Sequence, residues 1–156
     1  MPYSDLLRGR ASISGQIYIV TTVTRNRVRL FSDLYLGRIV VRALHCEVTA
    51  ARATTLAYVV MPDHLHWLLQ LHPGHTLSTV VRSAKGRSAF EIGQVRGNRG
   101  PLWEVGFHDH ALRREEDLED VAWYILRNPI RAGLASSIYD YPLWDAVWMH
   151  RSQAKA

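Results

Sequence analysis

The chain has 156 residues, of which 47% are hydrophobic and 21% charged. That length and balance suit one folded domain with its own core and exclude a disordered or low-complexity chain. No run approaches the roughly 20 apolar residues of a membrane helix. The opening MPYSDLLRGRAS lacks the apolar stretch of a secretion signal, so an intact cytoplasmic protein is expected. Cys46 is the only cysteine and cannot form an internal disulfide; its surroundings, RALHCEV, read as helix packing.

The formal net charge is +5, and the basic residues cluster. Arg25, Arg27 and Arg29 follow the first apolar run, while Arg82, Lys85, Arg87, Arg96 and Arg99 crowd the middle. The acids concentrate in Glu115, Glu116, Asp117, Glu119 and Asp120. A basic surface attracts phosphate polymers by releasing their counterions. A solvated surface on an ordinary protein would have the same composition, so charge alone leaves both readings open.

In chain order, IYIVTTVT at 17–24 is β-branched and aromatic, as a strand requires. Ser32 is placed to cap a helix reaching about residue 50, with Leu36, Ile39, Val40, Ala43 and Leu44 along its buried face. The apolar run at 55–61 is a buried strand, Pro62-Asp63 makes a turn, and HLHWLLQL at 64–71 is the returning strand. Thr76 opens a second helix with Leu77, Val80, Val81 and Ala84 inward and Arg82, Lys85 and Arg87 outward. A glycine-rich basic loop is expected at 93–101, and a fourth strand at 107–113. A third helix starts at Glu115, its acids at the positive end of the helix dipole. The order β-α-β-β-α-β plus a helix is the ferredoxin-like split pattern: an α+β antiparallel sheet with helices on one face and an added C-terminal helix carrying Tyr124. One domain covers 1–156, with a core at about 13–135. The tail at 136–156 is rich in aromatics (Tyr139, Tyr141, Trp144, Trp148) and should pack on the body.

Three groups of residues can carry chemistry. In His64-Leu65-His66, strand alternation puts both imidazoles on one face and Leu65, Trp67, Leu69 and Leu71 on the other. The apolar set must cover the core helices, which leaves the histidines on the opposite face and near enough to share a metal ion. His108 and His110 alternate in the same way and compete for that role, although Asp109 between them and Arg113 beyond fit a DNA contact or a hydrogen bond better. Tyr124 lies in VAWYIL, where a core tyrosine is the commoner meaning; as a nucleophile it would need a metal or base, because a phenol is protonated at neutral pH. Asn128, four residues on, falls within about 40° of the same helical face. Pro129 opposes helix there, so Asn128-Pro129 can equally open a short turn closed by Gly133.

The hairpin YVVMPDHLHWLLQL resembles that of the HUH single-tyrosine transposases, in which two histidines flank a bulky apolar residue. LWEVGFHDHALRREEDL and YILRNPIRAGL resemble the segments before and around the tyrosine of the REP-associated tyrosine transposases, a bacterial branch of that superfamily. The resemblance spans about residues 13–148. It implies His64 and His66 as metal ligands, Tyr124 as nucleophile, and Asn128 as a third, amide ligand. It also implies a Mg2+ or Mn2+ ion and a single-stranded DNA substrate carrying an imperfect hairpin. The expected activity is cutting beside hairpin repeats and rejoining through a 5′-phosphotyrosine, with DNA transposition and recombination as the outcome. Arg127 and Arg131 would sit beside the site and the basic residues at 25–29 and 82–99 would contact DNA. A monomer and a homodimer both fit. Two other classes fit the residues alone: a non-catalytic nucleic-acid-binding module, and a metal-dependent phosphoester hydrolase using water.

Overall fold

A computed structural model describes residues 15–98, 100–113 and 117–149. Its elements are β1 (Ile17–Val23), α1 (Leu34–Thr49), β2 (Ala53–Met61), β3 (His64–Leu71), α2 (Leu77–Arg96), β4 (His108–Ala111), α3 (Leu118–Leu126), α4 (Asn128–Arg131) and β5 (Trp144–Ala146). The strands form one antiparallel sheet in the order β4-β1-β3-β2-β5. The first four give the ferredoxin-like order that the sequence pattern implies. The fifth was not expected: Trp144–Ala146 from the aromatic tail extends the sheet beyond β2.

Helix ends follow local chemistry, with small shifts from the sequence reading. Asp33, not Ser32, caps α1, its carboxylate accepting from the Tyr35 amide at 2.9 Å. Thr76 caps α2 as expected. That helix runs through Gly93 to Arg96, shortening the expected glycine-rich loop, because the first residue to supply a left-handed turn is Gly97 (φ 66°). Asp117 caps α3 by accepting from the Glu119 and Asp120 amides.

Both faces of the sheet are covered. Leu65, Trp67, Leu69 and Leu71 of β3 join α1 and α2 in the larger core, with Ile39, Val40, Leu77 and Val80 buried there. On the other face Leu68 of β3 and Ala57, Val59 and Met61 of β2 pack against Ala122, Ile125 and Leu126 of α3. The tail docks with Ile138 in this second core and Leu143 in the first. Lys85 does not face outward as expected. Its ammonium donates to the carbonyls of Glu104 (2.8 Å) and Gly106, fixing the segment before β4 to α2. Leu68 is fully buried beneath α3. Replacing it with Ala should lower the unfolding free energy by about 2–5 kcal/mol, read in urea titrations with an unchanged m-value.

Candidate active site

The strand register assembles the site. His66 lies opposite Thr21 of β1 and Val59 of β2, and His64 opposite Val23 and Met61. Directly opposed residues share a face, so both imidazoles stand on the α3 side of the sheet. Their rings meet edge to face with centroids 4.8 Å apart. Each Nδ1 is already engaged: that of His64 with an Asp63 carboxylate oxygen at 2.7 Å, that of His66 with the Thr21 hydroxyl at 2.9 Å. Both rings are therefore oriented by their Nδ1 atoms, which leaves each Nε2 for another partner.

Asp63 is itself held in place. The buried Thr24 donates to its backbone carbonyl from both the amide (2.9 Å) and the hydroxyl (3.1 Å), and the Phe31 amide holds the carbonyl of Pro62. The second carboxylate oxygen of Asp63 faces Arg27 at 3.4 Å. Burial works to raise the Asp63 pKa, but the hydrogen bond and charge of His64, with Arg27, outweigh it and hold the carboxyl below its ordinary value.

Tyr124 is 65% exposed, so it is not the core residue that its VAWYIL context suggests. Its neighbours Ala122, Ile125 and Leu126 take the buried positions of α3. The helix stops at Leu126 because Pro129 lacks the N–H that the Ile125 carbonyl would accept. The Asn128 side-chain nitrogen replaces that donor at 2.7 Å. Asn128 is thus a helix cap through its nitrogen, while its amide oxygen has no hydrogen bond with another described residue. Arg131 lies over the Tyr124 ring, 4.5 Å from the centroid, and donates to the Tyr124 carbonyl at 2.8 Å.

Burial, more than neighbouring charge, disfavours protonation of the His66 imidazole. Burial, then the neighbouring His64 and Arg131, push the His66 pKa down to about 4. A neutral ring keeps a lone pair available to a metal ion at neutral pH.

The rival pair reaches the same face. His108 opposes Thr21 and His110 opposes Ile19 on β4, both exposed. With strands about 4.8 Å apart, His108 stands two strands from His66. Among the described residues no group of three His, Cys, Asp or Glu side chains is placed to share a metal ion. Arg25 and Arg96 come together at one cavity of about 210 Å³ with Asn26 and Asn98, joining two basic segments far apart in sequence. Arg82 and Arg87 are exposed on α2, which packs against the sheet face opposite the histidines. Arg127 is exposed beside α4, and Arg99 lies outside the described residues. Asp63 and Thr21 were not singled out from sequence as site residues; the only signals were adjacency to His64 and period-2 placement on β1. No described helix is long and apolar enough to cross a membrane.

Lowering the His66 pKa in the folded state ties stability to pH. An unfolded histidine takes a proton near pH 6.5 and the folded one only near 4, so the metal-free protein should lose stability as pH falls through that window. The loss should be about 1–3 kcal/mol, and His66→Gln should flatten this part of the urea-unfolding pH profile.

The family model described as "Transposase IS200 like" matches residues 12–128. A Haemophilus influenzae protein named "Putative REP-associated tyrosine transposase" is 28% identical over 142 residues, covering 82% of this chain and 78% of that protein. The REP-associated tyrosine transposase of Escherichia coli K12 is 29% identical over 87 residues, 55% of this chain and 50% of its own. A solved REP-associated tyrosine transposase bound to a REP hairpin superposes with a TM-score of 0.72 at 26% identity, covering 93% of this chain and 83% of that one. With the family match spanning most of its length and the strand order and hairpin in agreement, this chain belongs to the IS200-like transposase family and stands with its REP-associated tyrosine members.

Proposed function

We propose that the protein is a metal-dependent single-stranded DNA endonuclease and strand-transferase that cuts beside hairpin repeats, with Tyr124 as nucleophile. The observation that carries this reading is an exposed phenol on a helix packed over the sheet face that holds two pre-oriented imidazoles. The relative solved on a REP hairpin supports a DNA hairpin as partner.

The donor set fits a divalent ion. His64 and His66 would bind it through Nε2, because Asp63 and Thr21 occupy both Nδ1 atoms. The Asn128 amide oxygen is the third candidate ligand. Imidazole donors favour Mn2+ over Mg2+, which prefers oxygen. A bound ion would polarise the scissile phosphate and stabilise its developing charge.

Tyr124 supplies the attacking oxygen. Its phenol forms a bond to phosphorus as the P–O3′ bond breaks, leaving a 5′-phosphotyrosine and a free 3′-hydroxyl, with the phenolic proton passed to the leaving oxygen or solvent. The covalent link keeps the bond energy of the cut strand, so another 3′-hydroxyl can reverse the step and join new ends. Asp63 keeps His64 in one tautomer. The basic groups at the end of β1 (Arg25, Arg27, Arg96) lie at the His64 end of the sheet and would hold phosphates of the incoming strand. His108 and His110 extend the same face toward the β4 edge and would contact the DNA. Because α3 packs on β2 of its own chain, a monomer can assemble the whole site.

Tyr124→Phe should cut a labelled hairpin oligonucleotide slower by roughly three orders of magnitude or more, with binding retained and no SDS-resistant DNA-protein adduct. Cutting at the wild-type rate would sink the tyrosine mechanism. Wild-type cutting without an adduct would instead favour water as nucleophile, and binding without any cutting would favour a pure binding module. Asp63→Asn should weaken Mn2+ binding by roughly 10–100-fold in calorimetry, with little change in hairpin affinity.

A further inference from the structure

Arg131 sits where a contact to the DNA strand would be expected, yet its guanidinium is already committed within the site. One nitrogen donates to the Tyr124 carbonyl at 2.8 Å, and the planar group covers the Tyr124 ring at 4.5 Å. The helix that carries the phenol packs on the sheet face to which His64 and His66 belong.

The mount for this arginine is built by the sequence on both sides. Pro129 ends α3 and fixes the first turn of α4, and Asn128 caps the carbonyl that Pro129 leaves without a donor. At the far end Gly133 takes φ 73°, the Gly133 amide donates to Ile130 and the Leu134 amide to Pro129, the pairing of a Schellman stop. The Arg131 amide meanwhile bonds the Arg127 carbonyl at 2.9 Å. A four-residue helix stapled at both ends holds Arg131 still. Without such a hold, a phenol that is 65% exposed would sample several rotamers.

We propose that Arg131 is a positioning residue that fixes the Tyr124 phenol over the histidine face, rather than one whose main part is to bind a DNA phosphate. This rests on Tyr124 being the nucleophile, and it assigns the NPIRAG turn a purpose: it is the support of the attacking group. The geometry demands arginine. A planar guanidinium can cover the ring and donate to the carbonyl at once, whereas a lysine ammonium keeps the charge but not the flat face.

The test is single-turnover cutting of a hairpin oligonucleotide by Arg131→Lys and Arg131→Ala, alongside equilibrium binding of a non-cleavable hairpin at several salt concentrations. Arg131→Lys should cut about 10–100-fold more slowly, the cost of a nucleophile misplaced by an ångström. Its hairpin affinity should stay within about twofold of wild type and its salt slope unchanged. Added guanidinium ion should restore part of the Arg131→Ala rate and leave Arg131→Lys unaffected. Arg131→Lys cutting at the wild-type rate would overturn the proposal. So would an Arg131→Ala protein whose loss of rate follows a loss of affinity and of about one unit of salt slope, the mark of a phosphate contact. Should Arg131→Ala not fold, the Lys variant still decides, since its ammonium can reach the same carbonyl. Tyr124→Phe run beside them separates the two failures: if it cuts normally the nucleophile assignment falls, and if it is dead while Arg131→Lys cuts normally only the positioning role falls.

Discussion

Strand β3 is paired on both edges, so every side chain it carries must go above or below the sheet. Above it, Leu65, Trp67, Leu69 and Leu71 close the core with α1 and α2. A one-residue slip of register would bury both imidazoles in that core and turn the tryptophan out of it. The apolar side therefore holds the histidine side in place. Burial of four large residues on one face specifies the position of two polar residues on the other, and the remaining parts of the site are arranged around that pair.

The loop after β1 shows how the ends of the hairpin are secured. Thr24, buried, uses amide and hydroxyl on the Asp63 carbonyl, and Phe31 takes that of Pro62. The β2–β3 turn is thus tied to the basic segment at 25–27 through the backbone as well as through the Arg27–Asp63 ion pair. An exposed pair at 3.4 Å contributes little energy by itself. The backbone ties set the distance between the basic loop and His64, so side-chain freedom in the arginines does not disturb the imidazoles.

Proline at 129 reconciles two readings of Asn128 that looked exclusive. A primary amide has a donor end and an acceptor end. The donor is spent on the Ile125 carbonyl that proline orphans, and the acceptor is left over. Capping and ligation use different atoms, so the break in the helix is compatible with a ligand at the same residue. It also lets α4 begin at once, close enough for Arg131 to reach back over Tyr124.

What the sequence determined by itself was everything governed by short-range periodicity and capping. Alternation on 64–71 sorted His64 and His66 from Leu65 and Trp67; the Thr76 cap and the β-α-β-β-α-β order followed from local rules. The motif resemblance supplied the family, which matching across most of the chain then established. Tertiary structure decided what depends on residues distant in the chain. Thr21 meets His66 only because β1 pairs with β3 across 45 residues. The aromatic tail becomes a strand because the edge of β2 is open to it, not because Trp144–Ala146 favours that state alone. Lys85 turned inward because two carbonyls near Glu104 lay within its reach. Tyr124 looked like a core residue in its own string, and only the packing of its neighbours against β2 left it facing solvent. Helical period gives relative directions around an axis; which direction is inside is settled by the surface the helix lands on.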